Sequence, residues 1–152
     1  MHGLVSSGEV RMRIAPGLYS LRQDEGGHVH AFLVDDGGLA PHVQCPVDRA
    51  LKDGDHVGPL EILGVPGHTP GCLAFYWRDK STVIAGDIVV TWPEVAPGWP
   101  GLTLDNDQNL KSVGKLADAI TSEILCVGHG EPITTGGSDV LRKLRDGKKV
   151  QL

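Results

Sequence analysis

Residues 60–71 read Leu60-Glu61-Ile62-Leu63-Gly64-Val65-Pro66-Gly67-His68-Thr69-Pro70-Gly71. Leu60 to Val65 is a strand-forming apolar run, and it breaks into Pro and Gly, which stop strands and make tight turns. That turn carries His68. The same layout recurs twice further along. Ser81 to Ala85 runs into Gly86-Asp87, and Ile124 to Val127 runs into Gly128-His129-Gly130. Three strand-like segments thus each hand one reactive side chain to the loop that follows. One edge of a sheet gathers two imidazoles and a carboxylate, a donor set suited to a hard or borderline divalent metal.

Around these loops the chain reads as short strands punctuated by turns. Its 21 Gly and 10 Pro make up a fifth of the 152 residues. Val10 to Ile14, Gly17 to Arg22 and His28 to Val34 read as the first strands, the last ended by the turn Asp35-Asp36-Gly37-Gly38. Leu39 to Asp48 is irregular. Val47 to Leu51 suits a strand or one helical turn, and Lys52-Asp53-Gly54-Asp55 is a further turn. Leu73 to Trp77 and Ser81 to Ala85 form a hairpin around Arg78-Asp79-Lys80. Residues 91–104, rich in Trp, Pro and Gly, read as an ordered irregular loop.

The spacing predicts a helix starting after Asp105 or Asp107, either a good N-cap, with Leu110, Val113, Leu116, Ala117 and Ile120 on its apolar face. Ser138 is expected to cap a short basic helix reaching Arg145. The pattern is strand-rich with two late helices, of α+β class. Residues 1–152 show no repeat and no domain boundary.

Composition limits the function. A net charge of −5 and 5% aromatic residues give no basis for binding nucleic acid or an anionic membrane. No apolar run approaches the roughly 20 residues that span a bilayer, and the N-terminus lacks the layout of a secretory signal. Three widely spaced cysteines, Cys45, Cys72 and Cys126, do not make a disulfide framework and suit a reducing compartment. A cytoplasmic location is the expectation. Cys72 lies close to the His68 loop, and a small buried residue beginning a strand explains it better than a metal role.

Taken singly, each loop motif is an ordinary turn. Together, in this order and each after a strand, they resemble the metallo-β-lactamase superfamily, including its glyoxalase II-like hydrolases. The resemblance runs from about residue 10 to about residue 135. Gly17-Leu18-Tyr19 with His28 to Gly38 resembles the family's opening strands. Arg49 to Asp55 resembles the turn ahead of its third metal motif, and Asp107 to Leu116 the helix after its bridging aspartate. The resemblance implies an αββα sandwich. It also implies roles: His68 on a first metal, Asp87 bridging two metals as the catalytic carboxylate, and His129 on the second. The metal is zinc, or another divalent ion such as iron or manganese. The bridged ions lower the pKa of a shared water that attacks a carbonyl or phosphoryl centre.

One departure is sharp. The family opens its metal site with an H-x-H-x-D-H segment, which this sequence lacks. The turn at Asp35 to Gly38 passes almost at once to Pro41-His42-Val43, so an internal segment near residues 38–42 reads as missing, and the fold is expected to be a truncated sandwich. His28 and His30 form an H-x-H pair on one strand face, but that strand precedes the metal loops in the family's order, and a half-exposed strand face accounts for it. His42 and His56 read as surface residues.

Three donors leave each ion two ligands, one of them shared, where a catalytic zinc keeps about three. The expectation is one weakly held ion or none, and weak or absent hydrolysis of ester-, thioester- or amide-like small molecules. The alternative is a non-catalytic binding or assembly module. Removing sheet neighbours exposes an edge, which points to a homodimer or higher homo-oligomer. The loop bearing Trp92, Pro93, Trp99 and Pro100 offers apolar surface for an interface, a lid or a substrate pocket.

Overall fold

The computed structural model describes residues 50–151 in full and, before them, the backbone of three strands. The turn at Asp35 to Gly38, the junction near 38–42, and residues His2, His28, His42 and Cys45 lie outside the described residues. The three strands are β1 (Arg11–Ala15), β2 (Leu18–Arg22) and β3 (His30–Val34). They form an antiparallel meander, with a register shift between Arg13 and Ala15.

The second sheet carries the three loops. It comprises β4 (His56–Val57), β5 (Leu60–Gly64), β6 (Leu73–Trp77), β7 (Thr82–Gly86) and β8 (Ile124–Val127), side by side in that order. β5 pairs antiparallel with β6, and β6 antiparallel with β7. Two reversals restore direction, so β5 and β7 point the same way, and β8 pairs parallel with β7. The C-terminal ends of β5, β7 and β8 therefore share one edge of the sheet. The loops holding His68, Asp87 and His129 leave from those ends.

The hairpin between β6 and β7 turns through a short 3-10 helix, Arg78–Lys80, and Ser81 at φ 46°. β4 is only two residues long. On the far side, Leu125 exchanges two backbone hydrogen bonds with Ile133. A two-residue flanking strand offers little for another strand to pair with.

Both faces of the sheet are apolar. Leu63, Ala74, Tyr76, Val83, Leu125 and Val127 belong to the core that includes Val113, Leu116, Leu141 and Leu144 of the two helices. The opposite face carries Ile62, Phe75, Ile84 and Cys126 in register across four strands, with Ile62 and Cys126 fully buried. A sheet buried on both faces is the middle of a layered fold rather than its surface. α1 (Asn106–Ala119) and α2 (Gly137–Arg145) pack on each other. Among the described residues no helix is long and apolar enough to cross a membrane.

Two helix expectations need correction. Asp105 is the N-cap of α1 as expected, its side chain accepting the Gln108 N–H at 2.8 Å. The buried face, however, is Asn109, Ser112, Val113, Leu116 and Ala117, and Leu110 is exposed. Two polar residues displace a leucine because both have tertiary hydrogen bonds to make. α2 is capped not by Ser138 but by Gly136, in the left-handed conformation at φ 69°. Ser138 sits buried in the first turn, where its Oγ accepts the Ser122 N–H at 2.7 Å, so its hydroxyl is used across the fold.

Candidate functional site

His68, Asp87 and His129 line one cavity, together with Val90, Trp99 and Leu102. Its volume is about 300 Å³. Asp87 lies between the histidines. Its Oδ2 is 3.6 Å from His68 Nε2, and its Oδ1 is 3.5 Å from His129 Nε2. Neither separation is a hydrogen bond. Each carboxylate oxygen thus faces a different imidazole.

The residues around the trio explain how it is held. Gly67 takes φ 142°, and a Cβ there would run into the backbone of Asn109. Glycine lets the His68 loop lie directly on α1. Asn109 is fully buried in that contact. Its Oδ1 accepts the His68 N–H at 3.1 Å, and its Nδ2 donates to Ile88 O at 3.0 Å and Pro97 O at 2.9 Å. One amide therefore ties the His68 loop, the segment just after Asp87 and the Trp-rich loop to one helix. Ser112, one turn on, donates to Pro66 O at 2.6 Å. On the other side, Thr91 donates its N–H to His129 O at 2.9 Å and its hydroxyl to Glu131 O at 2.7 Å. A Cβ at Gly128 would strike Asp87 Oδ1, so a bare backbone lets the carboxylate come up beside His129.

Trp99 covers His129, with ring centroids 4.4 Å apart and planes tilted by 38°. Its indole N–H donates to Trp92 O at 2.9 Å, and the two indoles meet edge to face at 5.9 Å. Of the roles open to the Trp-rich loop, lining the cavity is the one Trp99 takes. Cys72 turns its sulfur to Thr69, accepting from the Thr69 N–H at 3.4 Å and meeting its hydroxyl at 3.1 Å. That arrangement closes the turn below His68 and packs against the core. His56 is exposed on β4, as expected. Sequence reasoning missed Asn109. The available signal was a polar residue one turn ahead of Val113 and Leu116 on the buried stripe of a helix.

The donor set can be tested against a divalent ion. Two ligands about 2.0–2.2 Å from a tetrahedral ion lie about 3.3–3.6 Å from each other. The separations of 3.6 and 3.5 Å fit that spacing for two separate pairs, His68 with Oδ2 and His129 with Oδ1. Among the described residues, no group of three His, Cys, Asp or Glu gathers around a single point. Among the described residues, buried His68 Nδ1 finds no hydrogen-bond partner, the kind of outer partner that usually fixes a metal-binding histidine.

The profile described as the metallo-beta-lactamase superfamily matches residues 5–129. This chain belongs to that superfamily. It is 29% identical to the uncharacterized protein YobT of Bacillus subtilis (strain 168), over 97% of this chain and 65% of that one. It is also 29% identical to a hydroxyacylglutathione hydrolase of Cereibacter sphaeroides (strain ATCC 17025 / ATH 2.4.3), over 74% of this chain and 42% of the relative. Among solved structures, a metallo-beta-lactamase family protein from Thermus thermophilus superimposes with TM-score 0.52 at 26% identity, covering 68% of this chain and 35% of that one. The fold is the superfamily's, and the chain spans between two fifths and two thirds of the length of these curated relatives.

Proposed function

We propose that the chain is a reduced metallo-hydrolase, in which His68, Asp87 and His129 are the surviving ligands of a metal centre and hydrolysis of ester-, thioester- or amide-like substrates is slow. The observation that carries this reading is the division of the Asp87 carboxylate. Oδ2 faces His68 Nε2 at 3.6 Å and Oδ1 faces His129 Nε2 at 3.5 Å, so one side chain spans two donor pairs. Zinc, iron or manganese suits two imidazoles and a carboxylate. A bound ion supplies Lewis acidity and a water of lowered pKa.

The chain's own residues do the remaining work. Asp87 stands between the two imidazoles on one wall of the cavity. Trp99 covers the His129 ring and keeps bulk water off that side. Asn109 fixes the backbone of His68, so its imidazole enters the cavity from a set direction. Two protein donors per ion fall short of the usual three, and a His68 Nδ1 with no hydrogen-bond partner among the described residues weakens its grip further. Affinity in the micromolar range or weaker is the expected result, and loss of a segment near residues 38–42 is part of the same proposal.

Metal analysis of protein purified without chelator tests the reading, alongside a melting curve with and without added zinc. Substoichiometric to stoichiometric metal, a zinc-dependent rise in Tm and thioester hydrolysis that falls in Asp87→Asn would support it. Metal near zero with no shift in Tm would end it.

A second reading has an observation of its own. Val57, Leu104 and Leu110 are exposed, Leu104 by 75%, and none of them lines the cavity. Apolar side chains left in water suit a homodimer or higher homo-oligomer. Light scattering that gives a dimer, unchanged in a His68→Ala, His129→Ala double variant, would favour an assembly role. A monomer at all concentrations would remove it.

A further inference from the structure

The cavity has two unlike halves. Its polar side is the trio. Among the described residues, its other side is Val90, Trp99 and Leu102. The indole has one polar atom, and that N–H is already committed to Trp92 O at 2.9 Å, so toward the cavity Trp99 offers only ring surface. Val90 is buried and forms the floor, while Leu102 is 63% exposed and stands at the mouth. A leucine so exposed beside a cavity gains free energy when something apolar covers it. A ligand with polar groups along its body would leave them unpaired against these side chains, which disfavours it.

We propose that the cavity selects esters or thioesters whose acyl group is an apolar chain, with Trp99 and Leu102 as the specificity-determining residues. The inference rests on the reading of the trio as the reaction centre, and it adds which substrates reach that centre. The space sets the length. A volume of about 300 Å³ lies at the small end of the roughly 300–1,000 Å³ of ligand pockets, which suits a short chain of about four to eight carbons beside the carbonyl head. The carbonyl end meets His68, Asp87 and His129. The chain runs between the indole face and Leu102.

Methyl n-alkyl ketones from butanone to decanone test this, because they keep the carbonyl and lack a bond to hydrolyse. Binding is read from the indole N–H resonance of Trp99 in proton–nitrogen NMR spectra, on zinc-loaded and on chelator-treated protein. The dissociation constant is expected to fall by about two- to fourfold per added methylene up to octanone, and then to level off. In Leu102→Asn, an exposed position that does not disturb the core, the dependence on chain length should flatten. A constant that ignores chain length, or an equal slope in Leu102→Asn, would overturn the proposal. A slope that persists on metal-free protein upholds the apolar wall even if the metal reading fails. Loss of zinc binding with the slope intact therefore separates the two.

Discussion

Asn109 Oδ1 accepts the backbone N–H of His68 at 3.1 Å across 41 residues of chain. The bond ties a buried helix position to the loop that presents an imidazole. The same amide donates to Ile88 O and Pro97 O, so the site's three supporting segments depend on one side chain. Asn109→Ala strands two carbonyls and one N–H in a buried place, each costing about 1–3 kcal/mol when left unpaired. Water re-entry will lessen the sum, and a net loss of about 3 kcal/mol is expected. Thermal unfolding should show it as a fall in Tm of about 6–12 °C. Asn109→Asp keeps the acceptor for His68 but sets a buried carboxylate oxygen against the Ile88 and Pro97 carbonyls, and should lose at least as much stability as Asn109→Ala.

Gly128 and Asp87 offer a cleaner test of the centre. A methyl at residue 128 would occupy the place of Asp87 Oδ1. Gly128→Ala should turn the carboxylate away from His129 with little effect on the core. On the proposed reading, zinc affinity should drop by about 10- to 100-fold, measured by competition with a chromophoric chelator, while Tm without metal changes little. Unchanged affinity would mean that Oδ1 is not a ligand.

Acid stability should depend on Asp53. Lys115 Nζ donates to its Oδ1 at 2.7 Å and Gly64 N–H donates to the same oxygen at 2.7 Å, and these bonds, the Lys115 one first, hold its carboxyl below the ordinary 3.8. A depressed folded pKa stabilises above the unfolded value and stops doing so as pH falls through the folded one. The Tm difference between wild type and Asp53→Asn should therefore be steady at neutral pH and shrink once pH drops below about 3.8. The pair is exposed, so the difference should also be small and salt-sensitive.

Thiol chemistry should separate the cysteines. Burial pushes the Cys126 thiol up to about 12, which leaves almost no thiolate at neutral pH. Cys72 is half-buried beside Thr69. In a Cys45→Ser background, native protein should react with a disulfide reagent at Cys72 and reach Cys126 only after denaturation. Prompt modification of both would show that the sheet opens at β8.

Apolar runs of the right length, bounded by Gly and Pro, mark β5 to β8 in the sequence to within a residue or so, because strand propensity and turn chemistry are local. The N-cap at Asp105 is local too, and so is the hand-over of His68, Asp87 and His129 to post-strand loops. Ser138 misled for the opposite reason. A serine before an apolar run is a cap by local rules, yet its Oγ meets Ser122, 16 residues away. Leu110 misled likewise, because periodicity counts hydrophobes and Asn109 wins the buried position through three hydrogen bonds to distant segments.

Reading the residues in order is enough for the family, for the strands that deliver the three donors, and for the absence of an H-x-H-x-D-H segment, since each is written in residues close together along the chain. It takes the folded arrangement to establish that each Asp87 oxygen faces its own histidine, that Trp99 walls off one side of the cavity, and that a buried asparagine holds the loops in place. These depend on which ends of β5, β7 and β8 meet and how α1 lies across them, relations between segments roughly 20 to 60 residues apart that no local pattern encodes.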